Sequence, residues 1–200
     1  MPTRCARPSP RAACLDNCAN EYLPEHGVKI LVASRALRAG DELTHSYINE
    51  FGADRRQFML DKWGFACVCA ACSDGALDRK LRRLHALDDE LGAHMGSARF
   101  DEGLRCGREM LVLYDELHEG PRLYAQLYYD LFQLAVTRRA TLAASAAYIR
   151  QALENRLLFR GDPADEECVR FRELIQDPTA HPCYLAGEPR AAPGRSGARR

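Results

Sequence analysis

The chain has 200 residues, 46% of them hydrophobic, which suffices for one domain of ordinary size or two small ones with a real core. Lysine plus arginine equals aspartate plus glutamate, 28 against 28, so no net charge favours nucleic acid or a membrane surface. The sequence starts without the apolar segment of a secretory signal, and no apolar run approaches the roughly 20 residues that cross a bilayer. We therefore expect an intracellular protein of the nucleus or cytoplasm, with no direct nucleic-acid binding and no membrane association.

Two terminal segments differ in composition from the rest. Residues 1–13 are rich in arginine, proline and alanine, and residues 189–200 combine arginines with small residues. Such segments bury too little apolar surface to order themselves. We expect both to be disordered, solvated tails.

The first part of the remaining chain has a β-like pattern. Alternating apolar residues in 28–33 predict one strand, and 43–48 predict a second. Gly40 lies between them, where a tight turn can use a positive φ. A short helix is predicted over 54–63.

From Asp78 onward the pattern becomes helical, beginning with leucines at spacings of three and four. Further helices are predicted over 100–117, 120–138, 141–159 and 166–175. The segments that begin at Phe100 and Leu142 weakly echo each other, with small residues where helices would cross. This echo predicts helical hairpins that resemble a tetratricopeptide-like array, and a plain helical bundle is the alternative.

The nine cysteines are too few for a disulfide scaffold, so clustered ones indicate a metal site and scattered ones indicate packing. Cys67, Cys69 and Cys72 place three thiols within six residues. A structural zinc site needs four ligands, so a fourth must come from elsewhere. The candidates are Cys14, Cys18, His26 and His45. The alternative is three buried free cysteines that pack as small hydrophobic side chains.

Two stretches resemble a known family. Residues 39–48, AGDELTHSYI, look like the end of a SET domain, and 55–72, which close with WGFACVCAAC, are similar to its post-SET segment. The helical part is similar to that of SET-and-MYND-type and short fungal SET proteins. In this family the post-SET zinc takes its fourth thiolate from an Asn-His-Ser-Cys-x-Pro-Asn motif. Residues 14–18 fall where Cys-x-Pro-Asn would lie, so the resemblance implies Cys14 as the fourth zinc ligand, with Cys18 in reserve.

The resemblance also implies an activity. SET enzymes transfer a methyl group from S-adenosylmethionine to a lysine amine, so the expected cofactors are zinc and S-adenosylmethionine and the expected partner is a protein, with histone as a candidate. Tyr47 matches the catalytic tyrosine, and Phe65 matches the aromatic residue beside the cofactor adenine. From the residues alone, a strand tyrosine such as Tyr47 is more often a half-buried packing residue, and Phe65 is at least as readily a core residue between the helix 54–63 and the cysteine loop.

The chain departs from the family pattern upstream of the cysteines. Arg11 and Ala12 stand where the family has the asparagine and histidine that contact the cofactor, and Asp16 replaces the proline. The glycine-rich N-terminal half of a SET domain is also missing. We therefore expect a truncated relative of protein-lysine methyltransferases whose own activity is in doubt. The alternative is a non-catalytic zinc-binding and helical module that binds partner proteins.

The predicted fold class is α+β, with a partial SET β-fold and its zinc loop followed by an all-α array of helical hairpins. The expected division is a disordered segment over 1–13, the SET part with its zinc loop over 14–75, a helical region over 78–185 and a tail over 189–200.

Overall fold

The computed structural model describes residues 11–23, 27–47 and 55–188. Its secondary structure is mostly helical with two small sheets, which agrees with the α+β class. The strands are β1 (Arg11–Ala12), β2 (Cys18–Leu23), β3 (Val28–Ala33) and β4 (Thr44–His45). The helices are α1 (Arg55–Trp63), α2 (Ala70–Ser73), α3 (Gly75–Gly96), α4 (Phe100–Leu117), α5 (Pro121–Ala135), α6 (Leu142–Arg160) and α7 (Glu166–Gln176).

The strands form two pairs. β2 and β3 form an antiparallel hairpin in which Cys18 lies opposite Ala33. β1 and β4 pair in parallel, although 31 residues separate them (44 − 13), so the end of the β region closes back on its beginning. β1 lies inside the segment 1–13, for which the sequence predicted disorder. Its two residues form a strand because their backbone pairs with that of β4. Residues 1–10 and 189–200 lie outside the described part of the chain.

The second predicted strand, 43–48, is shorter in the structure. Only Thr44–His45 pair with another strand, and Ile48 lies outside the described residues. The backbone N–H of Ser46 donates to a side-chain oxygen of Asp16 at 2.9 Å. Because this donor is used by a carboxylate, it does not extend the ladder.

All five long helices predicted from the sequence are confirmed, with small shifts at their ends. α3 begins at Gly75 rather than Asp78, because the side chain of Asp74 accepts from the backbone N–H of Ala76 at 2.7 Å and caps the helix. α6 ends at Gly161, whose φ of 67° is the left-handed conformation that favours glycine.

The helices pack in chain order around a continuous core. The leucines of α3 are buried against α4, and α5 packs between α4 and α6. An added Cβ on Gly107 would lie 2.6 Å from Leu131 of α5, and one on Gly103 would lie 3.0 Å from Leu134. Small residues therefore allow α4 and α5 to approach closely. The tetratricopeptide-like repeat itself stays a prediction.

The helical region contacts the β hairpin where α5 begins. A Cβ on Gly120 would lie 2.6 Å from the hydroxyl of Ser34, just beyond β3. Glycine at this position lets the start of α5 approach the β region. None of the described helices combines the length and the apolar composition that crossing a bilayer requires.

Candidate metal centre and adjoining cavity

Four cysteines that are distant in sequence meet at one point. Cys14 follows β1, Cys67 and Cys69 precede α2, and Cys72 lies in α2. Their four Sγ atoms all lie within 4.8 Å of one another. The Sγ of Cys14 is 3.5 Å from that of Cys72 and 3.9 Å from that of Cys67.

These separations suit a zinc ion. A tetrahedral site with Zn–S bonds of about 2.3 Å places its sulfur atoms about 3.8 Å apart. The donor set is four thiols, the soft ligands that zinc prefers in structural sites. The residues present therefore fit a structural zinc ion.

The other candidate ligands do not join this cluster. Cys18 is buried in β2 opposite Ala33, outside the group of four. The Nδ1 of His45 lies 3.1 Å from the side-chain amide of Asn20 and 3.0 Å from the carbonyl of Ser46. His26 lies outside the described residues.

The thiols interact strongly with one another. A hydrogen bond from Cys14 lowers the pKa of Cys69 to about 4, and the same contact together with burial raises the pKa of Cys14. Burial also raises the pKa of Cys67. Without a cation the cluster therefore favours a thiolate at Cys69, hydrogen-bonded by its neighbours. A bound zinc ion would stabilise further thiolates directly.

Arg55 is a buried cation beside the cluster and was not singled out from the sequence. It is 3% exposed, and its Nη2 donates to the carbonyl of Ala71 at 3.2 Å and to the carboxylate of Asp78. Burial acts to lower the pKa of Arg55, but the hydrogen bond and charge of Asp78, with a contribution from Cys14, raise it. Its positive charge would offset part of the negative charge of a zinc ion held by four thiolates. No spacing in the sequence signals this role.

A cavity of about 980 Å³ adjoins the cysteines. Tyr47 and Phe65, the two residues matched to catalysis and cofactor binding, both line it, together with Cys67 and Cys69. The rings of Tyr47 and Phe65 meet edge to face with centroids 6.4 Å apart, and Trp63 lies 5.4 Å from Tyr47. Phe65 is 37% exposed, so it is not a core residue. The side chains of Arg11 and Ala12 lie outside the described part of the chain.

Asn17 is a buried polar residue that also lines this cavity. It is 5% exposed, its amide nitrogen donates to the carbonyl of Glu42 at 2.8 Å, and its amide oxygen accepts from the backbone N–H of Thr44 at 2.8 Å. One amide thus satisfies both a donor and an acceptor near β4. The position of Asn17 at the end of the Cys-x-Pro-Asn match was the available signal.

No protein-family model matches the chain. It is 24% identical over 178 residues to Histone-lysine N-methyltransferase set5 of Schizosaccharomyces pombe, an alignment that covers 84% of this chain and 54% of that protein. It is 32% identical over 75 residues to Histone-lysine N-methyltransferase SET5 of Candida albicans, which covers 34% of this chain and 16% of that protein. The protein of the same name from Meyerozyma guilliermondii is 38% identical over 53 residues, 26% of this chain and 11% of its own length. The chain thus spans about half the length of the first relative and smaller parts of the other two. These similarities relate it to the SET-type histone-lysine methyltransferases of fungi.

Proposed function

We propose that this chain is the zinc-closed C-terminal part of an S-adenosylmethionine-dependent protein-lysine methyltransferase with histone as its substrate class. The observation that carries the proposal is the juxtaposition of the four-cysteine cluster with Tyr47 and Phe65 at one cavity. A packing tyrosine and three inert cysteines would not need a common cavity. The relatives' names support the same reaction class.

In this proposal zinc is held by Cys14, Cys67, Cys69 and Cys72. Cys67 and Cys69 lie in the loop that carries Phe65, so a bound ion would tie this loop to the segment of Cys14 beside the cavity. Its role is structural, since four thiols leave no open position for substrate.

S-adenosylmethionine would supply the methyl group. Phe65 offers an apolar aromatic surface for the adenine, and the hydroxyl of Tyr47 orients the substrate amine, so much of the catalytic effect comes from positioning. The cysteine loop and Asn17 keep these two side chains at the same cavity. Because Arg11 and Ala12 replace the family's cofactor-contacting residues, we propose that the described residues form only one side of the cofactor pocket.

The division of the chain is part of the proposal. We propose that residues 14–75, together with β1, form the SET-derived part and that 78–185 form the helical part, which binds protein partners. A histone substrate agrees with residence in the nucleus or cytoplasm.

Zinc analysis of Cys14→Ser tests the metal site. We expect about one zinc per chain in the parent protein and at least a tenfold weaker zinc affinity in the variant. The reason is that a serine hydroxyl does not replace a cysteine thiolate as a zinc ligand. Cys18→Ser is the matched control, because Cys18 is equally buried but lies outside the cluster. Full zinc retention in Cys14→Ser would remove Cys14 from the ligand set.

Methyl transfer is tested with radiolabelled S-adenosylmethionine and core histones. We expect Tyr47→Phe to lower methyl incorporation at least tenfold. We expect Phe65→Ala to weaken cofactor binding, measured by calorimetry, at least tenfold. Tyr184→Phe, on a partly buried tyrosine of the C-terminal segment, is the control. If folded, zinc-loaded protein shows no cofactor binding and no methyl incorporation, that result contradicts a methyltransferase activity of these residues alone.

One observation favours a second function, a non-catalytic module that binds partner proteins. The β2–β3 hairpin has two strands, and Tyr22 and Leu31 are exposed on the same face of it. Exposed apolar side chains on a sheet mark a surface where another polypeptide can pack. Here Leu31→Asp would abolish partner recovery from a pull-down while the zinc content stays unchanged. Val112→Asp, at an exposed position of α4, is the control.

A further inference from the structure

A second, smaller cavity lies where the helical region meets the β region. Its volume is about 320 Å³, near the lower end of ligand sites. Its polar lining consists of Asp16, Asn20, Ser34, Ser46, Glu119 and Arg122. It shares no lining residue with the cavity of Tyr47, because Cys14 and Asp16 face this side of the chain while Ala13, Leu15 and Asn17 face the other. It is therefore a separate site.

Glu119 is the unusual residue of this cavity. It follows His118, whose left-handed backbone ends α4, and directly precedes Gly120 at the start of α5. It is 9% exposed, and its Oε1 is buried without a hydrogen-bond partner among the described residues. Burial, followed by the nearby charge of Asp16, raises the pKa of Glu119 to about 8. A buried carboxylate oxygen with no partner is expensive unless a ligand satisfies it.

The surrounding charges indicate the sign and size of that ligand. Two carboxyl groups, those of Asp16 and Glu119, face one guanidinium, that of Arg122. The cavity carries one excess negative charge when both carboxyl groups are ionised, a state that burial disfavours and that a bound cation would favour. Asp16 already accepts from the backbone N–H of Ser46 at 2.9 Å. A single positive charge would therefore neutralise the cavity, with Glu119 as its direct counter-ion.

The shape and chemistry favour an organic cation over a metal ion. An alkylammonium group has three N–H donors, which match the carboxylates of Glu119 and Asp16 and the hydroxyl of Ser34. Ala19 and Leu123 line the same cavity and offer apolar surface for a methylene stem. A divalent ion prefers six or more oxygen ligands and would be repelled by the guanidinium of Arg122.

We propose that this cavity binds an alkylammonium group, as carried by a lysine side chain of a bound polypeptide or by a free amine, with Glu119 as the counter-ion. The inference is independent of the proposed methyl transfer, because the two cavities share no lining residue. It gives the junction between the β and helical regions a binding role of its own.

Calorimetry and backbone-amide NMR titrations of the zinc-loaded full chain test this site. The probes are Nα-acetyl-lysine methylamide, its norleucine analogue without the ammonium group, n-butylamine and Mg²⁺. We expect saturable binding of the lysine probe, with shifts at Glu119 and Gly120, and binding of the norleucine analogue that is at least about tenfold weaker. Binding of n-butylamine as tight as that of the lysine probe would identify a free amine as sufficient, and weaker binding would identify the peptide-borne lysine.

Two substitutions with opposite expected effects on the affinity for the lysine probe test the proposal. Glu119→Gln should weaken the lysine probe by at least about tenfold, whereas Arg122→Gln should tighten it about threefold, because it removes a repelling charge. Glu173→Gln, on the exposed face of α7, should change nothing. Four outcomes would each overturn the proposal: equal affinity for the norleucine analogue, binding of Mg²⁺ instead of the amines, no binding of any amine, or weaker binding in Arg122→Gln. The zinc content of every variant controls for folding.

Discussion

The two halves of this molecule are stabilised in different ways. In the β region, residues 11–73, two of the strands have two residues each, and large apolar side chains such as Tyr22 and Trp63 are exposed. In the helical region, residues 75–188, whole stripes of leucine are buried, and Leu81 and Leu87 are completely inaccessible. The helices satisfy their own backbone and contribute most of the buried apolar side chains. The β region relies on four thiols and a few buried polar side chains.

The two halves nevertheless share one core. Cys14, Cys67 and Cys72 belong to the same buried cluster as Leu81 and Leu84 of α3. The candidate metal centre thus lies at the junction, with the helices as its rigid side. We therefore expect the β region to depend on the helices more than the helices depend on the β region.

Removal of zinc should have the largest effect, and only on the β region. Structural zinc contributes of the order of 10 kcal/mol of binding free energy in small zinc domains, so we expect chelation to lower the local stability of residues 11–73 by at least about 3 kcal/mol. Hydrogen–deuterium exchange should show lost protection in β2, β3 and α2 and retained protection in α4 to α7. Uniform loss along the chain would contradict the asymmetry, and reconstitution with zinc is the control.

A cavity in the helical core should destabilise the whole molecule. Leu131 on α5 is completely buried against Gly107 of α4. We expect Leu131→Ala to lower the free energy of unfolding by about 2–5 kcal/mol, measured by urea denaturation of zinc-loaded protein. Val112→Ala, at an exposed position of α4, should change it by less than about 0.5 kcal/mol. Melting of the helices while zinc stays bound would show that the β region is the more stable half.

Loss of the Asn17 amide should loosen the β region without releasing zinc. Asn17→Ala leaves the carbonyl of Glu42 without this donor and the N–H of Thr44 without this acceptor. We expect a loss of about 1–3 kcal/mol of local stability, read as faster amide exchange at Thr44. Asn20→Ala, which removes one contact to His45, is the milder comparison. Unchanged exchange at Thr44 would mean that β4 is held by its pairing with β1 alone.

Helices were predictable from the sequence because their signals are local. The leucine stripe of α3, the small residue Gly103 and the stop at Gly161 all act within a few residues of chain. Only the helix ends moved, as at Asp74, whose capping hydrogen bond depends on side-chain geometry. The cysteine loop is local as well, and its fourth partner Cys14 was reached through a family resemblance.

The junction was not predictable, because its contacts join residues far apart in sequence. Arg55 reaches Asp78 across 23 residues, and Glu119 shares a cavity with Asp16, 103 residues earlier (119 − 16). Neither residue stands in a periodic pattern, and each reads as an ordinary surface charge. Buried charges of this kind follow from how two regions meet, which spacing along the chain does not encode.

Glu119 should give the junction a dependence on pH, the smallest of these effects. Burial raises its pKa in the folded protein from 4.5 to about 8, so its contribution to stability is complete below about pH 4.5 and is lost as the pH rises toward 8. Glu119→Gln cannot ionise, and we expect its advantage over the parent protein to grow by about 1–2 kcal/mol between pH 6 and pH 8.5. Urea denaturation across this range, where thiolates can still hold zinc, measures the difference, with Glu173→Gln as the exposed control. An advantage that is constant with pH would place the ionisation of Glu119 in its ordinary range and the junction in contact with solvent.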